Sequence, residues 1–296
     1  MGDLDEQSLR SRVEALKRLA AQDAVPAVQD IVQRCCNGEA IPLPRDVPGT
    51  LGKLLGRKEP VELRMARPQD PAEYLSEAAV VFAAVAASLP RNLWHGRNVV
   101  ELGCRTGYVG IVLASLGARV KLLDHPDFAT AVITSLAMNA KLMQPPGSAS
   151  FLEFDWTAPR SSSGVCRAIE ESTLAVACHP VTDAKSEQDF LTTLDALFGL
   201  DGGPPLARKL EGLLVVHKHQ QHFCIRGYSA PLSNAPPAVT LAEDAAHCTF
   251  RQRMQDRGIQ VTDFGIEPPP EFVHPFVECW QLSLRRSDAD HAHRSA

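Results

Sequence analysis

One short segment combines a carboxylate with a glycine-rich turn and has the clearest potential for chemistry. Residues 99–110 have the sequence VVELGCRTGYVG, in which Glu101 stands two residues before Gly103 and a second turn glycine follows at Gly107. Apolar residues that run into a glycine turn and then into a further apolar stretch predict a strand, a tight turn and a helix. Backbone amides at the start of such a helix can hold a ligand. The segment therefore predicts a ligand site.

The charges around this turn separate two classes of ligand. Dinucleotide folds use Gly-x-Gly-x-x-Gly to bring the backbone close to a pyrophosphate, but here Arg105 occupies the middle glycine position and Glu101 precedes the turn. A carboxylate there repels pyrophosphate and attracts the ammonium and sulfonium groups of S-adenosylmethionine. Asp124, about twenty residues further on, suits ribose hydroxyls in either case. The pattern favours S-adenosylmethionine over NAD, with a turn that binds no ligand as the alternative.

Alternating apolar runs and helical patterns define the part of the chain that positions these residues. The runs predict a parallel sheet with crossover helices; they lie at 99–102, 120–124, 151–155, 174–178 and 213–217. Residues 259–265 and 276–284 flank a proline-rich link without a helix, which predicts an antiparallel hairpin at a sheet edge. Ligands of open parallel sheets bind at the carboxyl ends of the strands, so the glycine turn lies at the mouth of the predicted site.

The first part of the chain has a different pattern. Apolar residues recur at helical spacing in 6–21 and 25–35, and a stretch rich in proline and glycine follows at 41–60. The alanine-rich run at 78–87 is about half the length of a membrane span and predicts a buried helix. Residues 229–240, rich in proline and small side chains, predict a surface insertion.

Composition restricts the partners and the compartment. The chain has 296 residues, 45% of them hydrophobic, and a net charge of -5, with no basic stripe for nucleic acid or anionic lipid. The first residues have neither a signal-peptide pattern nor a myristoylation pattern. The eight cysteines include no Cys-x-x-Cys pair, which favours reduced thiols. We expect a cytoplasmic monomer, with the nucleus as the alternative location, and no nucleic-acid or membrane partner.

A histidine-rich segment raises the question of a metal site. His217, His219, His222 and Cys224 have side chains that can bind metal ions, and His217 and His219 share one face of a predicted strand. No second carboxylate or Cys-x-x-Cys pair completes the set. We therefore predict histidines that face solvent or a cleft, and no metal.

A series of motifs resembles the class I, seven-strand methyltransferases of the lysine methyltransferase group often called family 16. The motifs are residues 99–111, Asp124 with Pro126, Asn139 in a Leu-x-x-Asn pattern, Asp155–Trp156, 213–219 and 250–258. The resemblance covers roughly residues 70–286. It implies an α/β fold with a Rossmann-like seven-strand methyltransferase sheet and a C-terminal antiparallel hairpin. We expect a helical N-terminal extension and linker at 1–60, a methyltransferase domain at 61–286 and a polar tail at 287–296.

The resemblance also assigns roles to individual residues. It implies that Glu101 and the adjacent turn hold the methionine end of S-adenosylmethionine, and that Asp124 accepts hydrogen bonds from the ribose. Asp155 would bind the adenine amino group, and Trp156 would lie against the purine ring. The full set of predicted cofactor-binding residues is Glu101, Gly103, Arg105, Gly107, Asp124, Asp155, Trp156 and Cys178.

Two departures from the family pattern affect the predicted activity. Arg105 replaces a glycine, and residues 178–182, Cys-His-Pro-Val-Thr, stand where the family has Asp-x-x-Tyr at the end of its fourth strand. His179 is the candidate catalytic residue because a neutral imidazole can accept a proton from a lysine amine. The resemblance implies lysine methylation on a protein substrate. The alternatives are a non-catalytic binding module with the same fold and a small-molecule methyltransferase.

Overall fold

A computed structural model describes most of the chain. The described residues are 24–42, 62–66, 75–143, 145–218, 244–266, 268–269, 272 and 277–284. The predictions for 6–21, for most of 41–60, for 229–240, for the tail and for His219, His222 and Cys224 lie outside these residues. Among the helices that are described, none is long and apolar enough to cross a bilayer. No cluster of potential metal ligands occurs in the same ranges.

A seven-stranded sheet forms the centre of the molecule. The strands along the chain are β1 (Ile41–Pro42), β2 (Glu62–Leu63), β3 (Asn98–Leu102), β4 (Arg119–Asp124), β5 (Ser148–Glu153), β6 (Leu174–Cys178), β7 (Gly212–Lys218), β8 (Ile259–Asp263) and β9 (Val277–Leu284). The order across the large sheet is β5-β4-β3-β6-β7-β9-β8, and β1 pairs separately with β2. Neighbouring strands from β5 to β7 are parallel, whereas β9 is antiparallel to both β7 and β8.

This topology confirms the predicted α/β fold class, with its Rossmann-like seven-strand sheet and C-terminal antiparallel hairpin. The central strands are largely apolar because helices cover both faces of a parallel sheet. The third predicted strand is displaced: β5 ends at Glu153, so Asp155 lies beyond the strand in a turn. The reason is local, because the Asp155 side chain accepts hydrogen bonds within that turn.

Helices pack on both faces of the sheet, so that the fold has three layers. They are α1 (Ala24–Cys36), α2 (Glu77–Ser88), α3 (Tyr108–Ser115), α4 (Ala129–Met138), α5 (Ser163–Glu171), α6 (Ala184–Phe198) and α7 (Asp244–Asp256). One apolar cluster joins α1, α2 and α3 to the sheet, and a second joins α5, α6 and α7 to the opposite face. The predicted buried helix is α2, whose residues 78–87 are all buried. The hydroxyl of Ser76 caps its first turn by accepting a hydrogen bond from the Ala79 amide.

The described part of the N-terminal extension packs against the same core. Val28, Ile31 and Cys35 lie on one face of α1 and are at most 4% exposed. They belong to the apolar cluster that also contains the buried residues of α2. The predicted helix at 25–35 is confirmed by α1, while the division into domains at residue 60 stays a prediction.

Candidate functional site

The turn between β3 and α3 is built on residues with positive φ. Gly103 and Gly107 have φ of 75° and 76°, values that glycine adopts without steric cost. Gly103 also lies close enough to its neighbour to disfavour a larger residue, because a Cβ atom there would lie 3.2 Å from the indole ring of Trp156. Gly107 immediately precedes α3 and is its N-cap. The turn therefore brings the carboxyl end of β3 directly against the start of a helix.

Arg105 lies in this turn with a left-handed backbone, at a φ of 47°. For a residue with a side chain this conformation costs about 1–2 kcal/mol. The backbone amide of Arg105 donates a hydrogen bond to Asp124 Oδ2 at 2.7 Å. Arg105 thus keeps the geometry of the glycine it replaces, and its amide ties the turn to the end of β4.

Glu101 is a buried acid beneath the turn. Glu101 is 2% exposed, and its Oε2 atom has no hydrogen-bond partner among the described residues. The pKa of Glu101 is raised to about 8, chiefly by burial and also by the nearby Asp124, although a hydrogen bond from the Gly110 backbone amide lowers it. A buried acid with an unused oxygen is a suitable partner for a cationic group.

Asp124 ends β4 next to the turn and is held by protein donors. Its Oδ2 accepts from the Arg105 amide at 2.7 Å, and its Oδ1 accepts from the His125 amide at 2.8 Å. Burial raises the pKa of Asp124, whereas these hydrogen bonds, the Arg105 charge and a hydrogen bond from the Trp156 side chain lower it. The structure therefore brings Glu101, Asp124, Arg105 and Trp156 together around one turn.

Asp155 and Trp156, which lie in the turn after β5, have separate environments. The Asp155 carboxylate is exposed and accepts hydrogen bonds from the Thr157 amide at 2.9 Å and the Thr157 hydroxyl at 2.7 Å. These bonds hold the pKa of Asp155 below its usual value. Trp156 is half-buried, with its ring 5.1 Å from that of Phe154 and 6.2 Å from that of Phe190. Trp156 lies against the glycine turn, whereas Asp155 stabilises its own turn.

A narrow cleft lies between the glycine turn and the start of α2. Four of the residues predicted from sequence line it: Glu101, Gly103, Arg105 and Cys178. Thr106 and Tyr108 line it as well and were not predicted. Both are almost fully buried, at 3% and 1% exposure. Tyr108 lies inside the sequence motif, but a tyrosine among apolar helix residues resembles a core residue, so no local pattern signals that it reaches a cleft.

His179 follows Cys178 at the carboxyl end of β6. Its φ of 53° is also left-handed, and its amide donates to the Val216 carbonyl at 2.6 Å. The imidazole ring lies 5.8 Å from that of His217, which stacks on Trp280 at 5.6 Å. The same carboxyl edge of the sheet therefore carries Glu101, Asp124 and His179, on β3, on β4 and just after β6.

The sequence of this region matches a known family. A family model described as lysine methyltransferase matches residues 63–203. Residues 63–203 are therefore similar to the lysine methyltransferase family. The matched segment contains every predicted site residue. It begins close to residue 70, where we expect the resemblance to begin. The description names a methyltransferase, in agreement with the predicted class of activity. The family resemblance predicted from the motifs is confirmed over this segment.

Solved structures of methyltransferases resemble the chain at low identity. The magnesium protoporphyrin IX methyltransferase of Synechocystis PCC 6803, solved with bound S-adenosylhomocysteine, is 13% identical with a TM-score of 0.42, and the match covers 71% of this chain and 83% of that one. The glycopeptide N-methyltransferase MtfA is 12% identical with a TM-score of 0.42, covering 72% and 92%. A comparison with curated proteins finds no match.

Proposed function

We propose that this methyltransferase transfers the methyl group of S-adenosylmethionine to a lysine of another protein. The observation that carries the proposal is Glu101, a buried acid with an unused oxygen, placed in a cleft beneath the glycine turn. An amino-acid ammonium group fits this site because it pairs with a carboxylate, whereas a pyrophosphate would be repelled. The lysine acceptor is supported by the family description of the matched segment.

The cleft and its surroundings supply groups for each part of the cofactor. Glu101 would bind the ammonium group, and the backbone at Gly103, Arg105 and Gly107 would lie beside the methionine chain. Asp124 already accepts two hydrogen bonds from backbone amides, but a carboxylate has about four acceptor positions, so it can also bind a ribose hydroxyl. Trp156 and Asp155 would contact the adenine, and Cys178 would form part of the cleft wall.

The bound cofactor supplies a methyl group on a positively charged sulfur, which a neutral amine can attack directly. The protein must orient that amine and keep water out. His179 lies at the carboxyl edge near Cys178, and its imidazole can accept a proton from the amine. Its backbone is fixed by the hydrogen bond to Val216. We propose His179 as the catalytic residue. A monomeric state and a cytoplasmic location, or a nuclear one, remain predictions from the sequence.

The proposal is tested by methyl transfer from tritiated S-adenosylmethionine. The purified protein is incubated with a lysate from cells that lack it, and the products are separated on a gel. We expect a labelled protein band that disappears with Glu101→Ala and weakens strongly with His179→Ala. Glu170→Ala, at an exposed acid on α5, is the control and should retain the label. Acid hydrolysis of the band should yield methyllysine.

A non-catalytic binding module is the second candidate. It is favoured by the residues after β6, where His179 and Thr182 replace the acid and the tyrosine of the family pattern. In this case the protein binds the cofactor in a titration, but neither proteins nor small molecules in the lysate become labelled between about pH 5 and pH 8, the range in which an imidazole loses its proton. Label in the small-molecule fraction alone would instead identify a small-molecule methyltransferase.

A further inference from the structure

A second buried polar atom, on a residue that lines the cleft, has no role in the proposed function. Tyr108 is the first residue of α3, lines the cleft and is 1% exposed. Its Oη atom has no hydrogen-bond partner within the part of the chain that the structure describes. An unsatisfied buried hydroxyl is destabilising, and such groups are rare in folded proteins. A ligand in the cleft would explain why this hydroxyl is present.

Glu101 and Tyr108 together offer complementary chemistry. An amino-acid group carries one ammonium and one carboxylate, so it needs an anionic acceptor beside a hydrogen-bond donor. Glu101 can supply the acceptor and the phenol of Tyr108 the donor. Burial, with a smaller effect of the Cys35 thiol, raises the pKa of Tyr108, so the phenol keeps its proton. The position of Tyr108 at the start of a helix further favours a negative group nearby.

We propose that Tyr108 is a specificity-determining residue whose hydroxyl donates a hydrogen bond to the carboxylate of the amino-acid end of the methyl donor. This inference rests on the proposed function, since it needs S-adenosylmethionine in the cleft. Other side chains that can donate a hydrogen bond also line the cleft: the Arg105 guanidinium, the Ser76 and Thr106 hydroxyls, and thiols such as Cys178, which are weak donors. The Ser76 hydroxyl accepts from the Ala79 amide at the cap of α2. Thr106 is the hydroxyl that serves as the comparison.

The test is a calorimetric titration with two ligands that differ only in the carboxylate. They are S-adenosylhomocysteine and its decarboxylated analogue, which keeps the amine. The wild-type protein should bind S-adenosylhomocysteine about 10-fold to 100-fold more tightly than the analogue, the range for a hydrogen bond to a charged group. Tyr108→Phe should lose this preference while binding the analogue within about twofold of wild type. Thr106→Val should retain the preference.

The stability of the ligand-free protein separates a binding role from a packing role. Phenylalanine fills the same space without the unsatisfied hydroxyl, so ligand-free Tyr108→Phe should unfold at the same temperature as wild type or higher.

Equal affinity of the wild-type protein for the two ligands would overturn the inference without any variant. So would an unchanged preference in Tyr108→Phe, an equal loss for both ligands, or a loss of preference in Thr106→Val alone. If the wild-type protein binds neither ligand, the proposed function itself fails, which is a distinct result.

Discussion

At the scale of single residues, Glu101 links the candidate site to the stability of the fold. Burial raises its pKa from 4.5 to about 8. Between these values the folded protein keeps a proton that the unfolded chain releases, so the free energy of unfolding falls as pH rises through this window. A cationic ligand would reverse this cost because it favours the ionised carboxylate. An acid that lowers stability at neutral pH is expected at a binding site, where it pairs with a ligand.

Replacement of this acid by an amide should remove the linkage. We expect Glu101→Gln to be more stable than wild type at about pH 8, and its free energy of unfolding should vary less between about pH 5.5 and pH 8. The same substitution should weaken binding of S-adenosylhomocysteine. Urea unfolding at the two pH values measures the first effect, with Glu170→Gln on α5 as the control. An identical pH dependence in Glu101→Gln and wild type would contradict the assignment of the buried charge.

The site residues differ in how far sequence could predict them. Glu101, Gly103 and Asp124 follow from charge and spacing, because each lies at or beside the end of a predicted strand. The hydrogen bonds that the protein itself makes to Asp124 could not be predicted, because they depend on the tertiary meeting of Arg105 and Trp156. The sequence also could not show that the Tyr108 hydroxyl is buried without a partner among the described residues, since that depends on how α3 packs.

At the scale of elements, the strand-turn-helix unit carries most of the site. The sequence predicted its strand and its helix, as well as the parallel strands and the C-terminal hairpin, because apolar periodicity is a local property. The pairing of β1 with β2 joins residues 41–42 to residues 62–63. The sequence between these strands has no apolar periodicity, so the sequence pattern did not predict this pairing.

The left-handed backbone of Arg105 gives a prediction for this unit. Arg105→Gly and Arg105→Ala both remove the side chain, but only glycine relieves the backbone strain. We expect the glycine variant to be more stable than the alanine variant by about 0.5–1 kcal/mol, since the greater freedom of glycine in the unfolded chain offsets part of the relief. Chemical denaturation of both variants measures the difference.

A residue with a right-handed helical backbone provides the control for this comparison of glycine and alanine variants. Thr134 is exposed in the middle of α4, so Thr134→Gly should be less stable than Thr134→Ala by about 1 kcal/mol. The order of the glycine and alanine variants should therefore be opposite at the two positions. The same order at both positions would show that Arg105 is not strained in solution.

At the scale of the whole molecule, the sheet extends beyond the segment that matches the family. Residues 63–203 include β3 to β6 and all predicted cofactor residues, whereas β7, β8 and β9 follow the match. These later strands complete the sheet on the side of His179, and His217 and Trp280 lie on them. The residues proposed to bind the cofactor thus lie inside the family match. The region around His179, where we propose that the acceptor binds, is built partly from sequence outside the match, so the proposed lysine acceptor needs direct measurement.

Ligand-dependent unfolding tests the cofactor assignment on the whole molecule. A ligand that binds only the folded state at about 100 times its Kd adds about 2.7 kcal/mol of stability. For a chain of this size that corresponds to a rise in Tm of roughly 4 °C. We expect S-adenosylmethionine and S-adenosylhomocysteine to produce this rise in a thermal unfolding assay. NAD should produce none, because its pyrophosphate would face the Glu101 carboxyl.

The variant at Glu101 shows whether the rise comes from the proposed site. Glu101→Gln removes the anionic partner of the ammonium group, so the same concentration of S-adenosylhomocysteine should raise its Tm less than that of wild type. Glu170→Gln should show the full rise, since that acid is exposed on α5 and far from the glycine turn in sequence. A rise in Tm with NAD and none with either methionine-derived ligand would contradict the assignment, because the charge at the glycine turn would then favour a dinucleotide.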